Sequence, residues 1–353
     1  MSQAVPPEKS VNPALANLSG QSGAGSWLAI FNQQESVLVI AFLLVLGGVT
    51  MMNRGFIAPT NLVDILYNSS YIGVAAVGMT MIILCGHIDI SIGAALGLCA
   101  TVAGKLAVAG VPLWIVFSAT IVTGGVIGLA NGLLVAYCRI PAIVATLGMA
   151  SILKGGLILS TGGIWIYGLP PGFGISRQLI MGIPLPICAL VLFGFIFSIW
   201  LKYSAAGRQI YAVGGNAEAA RLAGINVPAY KLGAFVLSSL AAGFAGVLFG
   251  CRFGAINPTA MQGDELTVIA AAILGGTSLF GGAGSVVKTL AGALLLFTLT
   301  NGFNILDLGA NYQGLIEGSV LVVAAAIYTL GGKARLRRPA IAANASPLTK
   351  EAV

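Results

Sequence analysis

Apolar residues in this chain gather into long runs separated by short polar stretches. Ten such runs fall near 36–52, 65–85, 90–109, 112–135, 140–160, 183–201, 232–251, 266–280, 286–305 and 312–330. A helix needs about 20 predominantly apolar residues to cross the hydrocarbon core of a bilayer, and it bonds its backbone N–H and C=O groups within itself. The pattern therefore predicts an all-α integral membrane domain over 36–331 with about ten transmembrane helices. A polar tail rich in Ser, Gly, Gln and Pro precedes it over 1–35, and a basic tail follows over 332–353. The tail opens with Pro6, Pro7, Glu8 and Lys9 instead of a basic-then-apolar start, so no cleavable signal peptide is expected.

Of the 353 residues, 58% are apolar and 8% charged, with a mean hydropathy of +0.98. A soluble domain carries about 25% charged residues, so a chain this poor in charge turns its surface to lipid. The net charge of +7 does not indicate nucleic acid, because the basic residues are scattered between apolar runs. Their distribution sets orientation instead. With both termini in the cytoplasm, the inside holds Lys9, Arg139, Lys202, Arg208, Arg221, Lys231, Lys288, Lys333, Arg335, Arg337, Arg338 and Lys350. The outside holds only Arg54, Arg177 and Arg252. Cys85, Cys99, Cys138, Cys188 and Cys251 show no CxxC pair or metal-type spacing and read as small packing residues.

Glycine is abundant, at 49 residues, and small residues let membrane helices approach closely. The pairs Gly124–Gly125, Gly155–Gly156, Gly275–Gly276 and Gly281–Gly282 suggest bent or interrupted helices. The eighth run is short and ends in glycines, as expected of a broken helix lining a pathway. A faint internal echo relates residues 86–94 (GHIDISIGA) to 275–283 (GGTSLFGGA).

The longest polar cytoplasmic loop within the membrane domain, 202–232, contains a short helix whose two ends are both specified. Asn216 is a good N-cap. Glu218 in the first turn and Arg221 in the last complement the helix dipole. Ala219 and Ala220 have the highest helix propensity, and Gly224 suits a left-handed C-terminal position. A helix of about eight residues is marginal alone in water. The residues by themselves leave two readings open: a peg inserted into a cleft on a soluble partner, or a connector packed beneath the membrane domain.

The same loop, from Tyr211 through Gly215, Asn216, Leu222, Gly224 and Ile225, resembles the coupling segment of permease subunits from ribose-type ABC sugar importers. Three further stretches agree. Residues 86–93 are similar to that family's GGIDLSxG turn. Asn131–Gly132 with 140–149 is similar to its NG…PxFIxTLG element, and 269–282 to its IAAxxLGGTSLxGG element. His87, where the family has Gly, is the clearest departure.

The resemblance spans about 36–331 and implies a division of labour. A second permease copy completes the pathway, as a homodimer or pseudo-dimer in the bacterial inner membrane. Cytoplasmic ATP-binding subunits attach below, and a periplasmic solute-binding protein delivers a monosaccharide above. Coupling to the ATPase would then fall to Gly215, Asn216, Glu218, Ala219, Ala220, Arg221, Leu222, Gly224 and Ile225. Translocation or gating would fall to Gly86, Asp89, Ser91, Gly93, Asn131, Thr146, Gly275, Gly276, Thr277 and Ser278. No cofactor is expected on this chain, since 281–289 ends in Lys-Thr but lacks the Gly before the Lys that a phosphate loop requires.

Two closer alternatives are an importer of the same type for an amino acid or a sugar-like signalling molecule. An ion-coupled secondary transporter would place ionisable groups near the midplane, and almost none are there. A membrane enzyme would need a nucleophile, metal site or acid–base pair, none of which is legible. Asp89 and Ser91 read as caps of the third span. Lys154 and Glu317 are expected to pair across the fifth and tenth spans or to bracket a polar path, and Lys105 to snorkel to the interface. Arg54, Arg177, Arg252, Asp264 and Glu265 are read as outer-loop charges, and 161–177 as part of a docking rim.

Overall fold

A computed structural model describes residues 33–308 apart from 178, 181 and 253, with scattered positions between 312 and 322. Helices α1 (Gln33–Met52), α2 (Pro59–Leu84), α3 (Ile92–Val108), α4 (Leu113–Ala136), α5 (Ala142–Thr161) and α6 (Leu185–Tyr203) form the first part. Two short helices follow, α7 (Ala205–Gly215) and α8 (Ala217–Leu222), then α9 (Val227–Arg252), α10 (Asp264–Leu274) and α11 (Val286–Ile305). The only strands among the described residues are the antiparallel pair β1 (Leu179–Ile180) and β2 (Ile183–Pro184).

Six of these helices, α2, α4, α5, α6, α9 and α11, are long and apolar enough to cross a membrane. The apolar stretch Leu38–Met52 of α1 and helix α3 are shorter. The run at 312–330 lies largely outside the described residues. Prolines mark several helix starts, with Pro112, Pro141 and Pro184 at N-cap positions and Pro59 opening α2. A missing N–H costs nothing there, because the first N–H groups of a helix have no intrahelical partner.

Helices α2 and α9 form the centre, with Ile72, Val74, Met79, Ile83, Phe235 and Ala242 fully buried. Helices α4, α5 and α6 carry exposed apolar faces, including Val122, Val126, Val144, Val191, Leu192 and Phe195. Such faces suit contact with lipid or a second membrane subunit. Gly124, Gly128 and Gly132 lie on one face of α4 and let it meet α9 backbone to backbone. A Cβ at Gly124 would sit 2.2 Å from the Ser239 carbonyl oxygen, and one at Gly128 would sit 2.5 Å from that of Phe235.

Two of the four glycine pairs correct the expectation of bends. Gly124–Gly125 and Gly155–Gly156 lie inside the continuous helices α4 and α5, where glycine gives close packing or open space. Only Gly275–Gly276 and Gly281–Gly282 fall where a helix has stopped.

The segment after α9 does not turn back at the end of the bundle. Gly104 of α3 faces Ile256, Gly97 faces Met261 and the Pro258 carbonyl, and Gly93 faces Glu265. From Gly104 to Gly93 is about 16 Å along a helix axis. Residues 254–263 thus run as irregular chain down the side of α3, and α10 begins beside the first turn of α3. Non-helical backbone at such depth is tolerated where it is buried in protein or lines a water-filled cavity. The eighth run therefore forms a helix of 11 residues, and Asp264 and Glu265 make up part of its first turn instead of a loop.

Candidate functional site

Helix α8 has the capping expected of it. Asn216 adopts extended backbone and its Oδ1 accepts the Ala219 N–H at 3.0 Å. At the other end Gly224 takes φ +82°, with its N–H on the Arg221 carbonyl and the Ile225 N–H on that of Ala220, both at 3.0 Å. Arg221 bonds both carboxylate oxygens of Glu218 at 2.5 and 3.2 Å. That pairing holds the Glu218 carboxyl below, and the Arg221 guanidinium above, the ordinary range. Ala220 is buried on the inner side, whereas Leu222 is 78% exposed.

Preceding it is α7, a separate helix that the pattern of 202–232 does not predict; Ser204 caps it by accepting the Gly207 N–H at 2.8 Å. Tyr211 donates its hydroxyl to the Gly284 carbonyl at 2.9 Å, and Tyr230 of α9 donates to Gln209. A Cβ at Gly214 would lie 1.6 Å from the Leu84 carbonyl oxygen, so only glycine permits this contact. The Gly282 N–H bonds the same Leu84 oxygen at 2.9 Å. The ends of α7 and α2 and the turn after α10 thus meet at one point.

The internal echo takes structural form at this junction. At the end of α2, Gly86 has φ +79° and bonds the Ile83 carbonyl, while the His87 N–H bonds that of Ile82. At the end of α10, Gly276 has φ +83° and bonds Ile273, while the Thr277 N–H bonds Ala272. Both are Schellman caps. The structural match pairs Gly86 with Gly276, one residue out of register with the sequence echo. Beyond Gly276 the turn closes on itself through the Ser278 N–H to the Ala283 carbonyl at 2.8 Å.

Asp89, Ser91, Asn131 and Thr146, drawn from three elements, form one fully buried polar knot. Asp89 Oδ1 accepts the Ser91 N–H at 2.8 Å and the Ser91 hydroxyl at 2.6 Å. Asn131 Nδ2 donates to Ser91 Oγ at 2.8 Å, and Thr146 Oγ1 accepts the Ile90 N–H at 3.1 Å. Ser91 occupies the N-cap position of α3 but makes no side-chain cap bond, because its hydroxyl is engaged by Asp89 and Asn131. Asp89 stabilises the turn before the helix instead of capping the helix itself.

Gly93 and Gly275 act by allowing approach: a Cβ would lie 2.5 Å from Glu265 Oε2 in one case and 2.5 Å from the Lys288 carbonyl oxygen in the other.

A cavity of about 420 Å³ opens beside α8, lined in part by His87, Arg139, Pro141, Glu218, Arg221 and Lys231. Burial and then the Lys231 charge push the His87 imidazole down to about 4, so it is neutral at physiological pH.

Lys154 Nζ bonds Glu265 Oε1 at 2.9 Å, and Glu265 Oε2 accepts the Gly263 N–H. Glu317 lies outside the described residues. Nothing in the sequence pattern joins Lys154 to Glu265, since the re-entrant course of 254–263 alone brings them together. Lys105 donates to the Ser160 carbonyl at 2.5 Å. Arg252 ends α9 over the Tyr67 ring, bonded to Asn68 and 3.9 Å from Asp64. Cys138 is exposed in the α4–α5 turn, unlike the buried Cys85, Cys99 and Cys251.

A bundle of apolar helices with one short helix broken part-way down and a rigidly seated helical elbow at one end defines a membrane permease component. The chain belongs to the family described as "Branched-chain amino acid transport system / permease component", whose model matches residues 61–325. It is 38% identical over 300 residues to the ribose import permease protein RbsC of Escherichia coli K12, covering 82% of this chain and 92% of that one. It is 32% identical over 326 residues to the L-arabinose ABC transporter permease protein AraH of Azospirillum brasilense, covering 92% and 95%. To the autoinducer 2 import system permease protein LsrC of Salmonella typhi it is 34% identical over 297 residues, covering 83% and 85%. No solved structure matches the chain.

Proposed function

We propose that the chain is the permease subunit of an ATP-driven, binding-protein-dependent importer that moves a monosaccharide across the bacterial inner membrane. The observation that carries this reading is the elbow. The exposed Leu222–Arg221–Glu218 side of α8 is joined, through α7, Tyr211 and Gly214, to the ends of α2 and the α10–α11 turn. A push on α8 from a soluble neighbour therefore reaches the half-helix α10 directly. Membership of the permease family and the similarity to ribose and arabinose permeases support the same reading.

Arg139, Arg221 and Lys231 line the cavity beside α8, Lys202 and Arg208 lie with Tyr211, and Lys288 meets Gly275, so this basic end is assigned to the cytoplasm by the positive-inside rule. Both termini then lie on that side, in a domain of about ten spans. Cytoplasmic ATP-binding subunits grip α8 and hydrolyse ATP, which this chain does not bind. A second permease copy covers part of the exposed apolar faces of α4–α6. Solute passes by alternating access as the knot around Asp89 and the turn at Gly275–Ser278 shift with the elbow.

The test is uptake of radiolabelled sugars into vesicles, with the ATP-binding and periplasmic subunits present or omitted. ATP-dependent uptake that needs all parts is the expected result. Uptake driven by an ion gradient without ATP overturns the reading.

A further inference from the structure

At the end opposite the elbow, the irregular stretch 254–263 leaves a cavity of about 480 Å³ against α2, α9 and the loop after α5. That volume lies within the roughly 300–1,000 Å³ typical of small-molecule sites. Tyr71, Trp165, Phe249, Gly254, Asn257 and Met261 are among its walls.

The walls are fixed. Ile166 and Ile256 exchange two backbone hydrogen bonds, at 2.9 and 3.0 Å, and so lock the loop that carries Trp165 onto the re-entrant stretch. Tyr71 is 8% exposed and held edge-on by Phe249 at 5.3 Å and Phe297 at 6.2 Å. Trp165, half-exposed, stacks on Tyr167 with ring centroids 6.2 Å apart.

Among the described residues, two polar groups in these walls have hydrogen-bonding capacity to spare. The Tyr71 hydroxyl has no hydrogen-bond partner among the described residues. Asn257 Oδ1 accepts the N–H and hydroxyl of Thr259 at 3.0 and 2.9 Å, which fixes the amide and leaves its NH₂ as a donor.

We infer that this cavity is a subsite for a neutral monosaccharide, where the solute rests on its way into the membrane domain. The inference rests on the importer reading above and deepens it. A sugar ring offers a C–H face to Trp165 and Phe249, whose rings supply broad and rigid apolar contact. Its hydroxyls serve both as donor and as acceptor to Tyr71 and Asn257. Among the described residues no charged side chain lines the cavity; the charges that reach Tyr71 are those of Asp264 and Arg252 behind the wall, so a zwitterionic amino acid would place its ammonium and carboxylate in a poorly solvated space with no counter-charge in direct contact. A lipid chain would leave Tyr71 and Asn257 unsatisfied.

The experiment uses the complete importer in lipid nanodiscs, with Trp27, Trp114 and Trp200 replaced by Phe so that Trp165 is the sole tryptophan in the permease. Its environment is read from the 19F resonance of 5-fluorotryptophan incorporated into the permease alone, with and without ATP. A panel of ribose, L-arabinose, xylose, galactose and leucine is titrated. The expected result is a saturable change with the sugar the same complex takes up, and none with leucine. Tyr71→Phe and Asn257→Leu should each weaken that response by roughly 3- to 10-fold, the loss of one neutral hydrogen bond. A response to leucine equal to that for sugar overturns the subsite, as does silence towards a sugar that the complex demonstrably imports. If the complex imports no sugar at all, the importer reading falls first and the subsite with it.

Discussion

Lys154 on α5 and Glu265 in the first turn of α10 form an ion pair with Nζ 2.9 Å from Oε1, although 111 residues separate them in the chain. Glu265 is the more enclosed of the two, with 12% of its side chain exposed against 32% for Lys154. The pair ties the half-helix to a helix on the outside of the bundle, beside the glycine contact of Gly93.

Removing Lys154 alone therefore strands a poorly solvated carboxylate. Lys154→Met should destabilise the permease by about 1–3 kcal/mol, the full penalty of a broken buried pair being reduced by the partial exposure of the lysine. Lys154→Met with Glu265→Gln should recover at least half of that loss. Thermal unfolding of the four proteins of this cycle in detergent measures it, and additive losses would show the two residues to be energetically independent.

Helix α4 lies so close to α9 that a methyl group cannot be accommodated without backbone movement. Gly124→Ala and Gly128→Ala should each lower the melting temperature markedly, since the clash is with carbonyl oxygens and not with flexible side-chain tips. Gly148→Ala on α5, where a Cβ would meet nothing within 4 Å, serves as the control and should be neutral or slightly stabilising. Equal behaviour of all three variants would refute this account of α4–α9 packing.

At the elbow, Leu222→Asp and Arg221→Glu change groups that face solvent in the isolated subunit. Both should leave the melting temperature of the permease unchanged and reduce ATP-driven uptake at least 10-fold, with basal ATP hydrolysis by the partner retained. Unaltered uptake in both variants would remove α8 from the coupling path.

His87 titrates well below its ordinary range because burial disfavours the imidazolium and Lys231 repels it. Between about pH 6.5 and 4 the unfolded chain then binds a proton that the folded chain does not, so stability rises with pH across that window. The melting temperature should fall as pH drops from 7 to 5, and His87→Gln should flatten that fall. A steeper dependence in the variant would mean that His87 is charged in the fold.

Much of this protein is written locally. The apolar runs decide that the chain is helical and lives in lipid, because their length and lack of charge leave no other way to satisfy the backbone. Asn216, Glu218, Arg221 and Gly224 decide α8, because caps and left-handed glycines act within a few residues of themselves. The conjunction of Asp89, Ser91, Asn131 and Thr146 could be suspected only from family resemblance, since their spacing along the chain says nothing of their meeting.

What only the tertiary structure decided is where the chain leaves its helices and which distant groups then touch. Hydropathy alone makes 266–280 a span and puts Asp264 and Glu265 in an outer loop. Residues 254–263 instead descend along α3, with Gly104, Gly97 and Gly93 making room for them. That course creates the Lys154–Glu265 pair and the walls of the cavity around Tyr71. Hydropathy measures how willingly a segment enters lipid, and it is blind to an irregular stretch hidden behind other helices. Such a stretch is stable only when its neighbours bond or enclose it, and those neighbours are set by the fold as a whole.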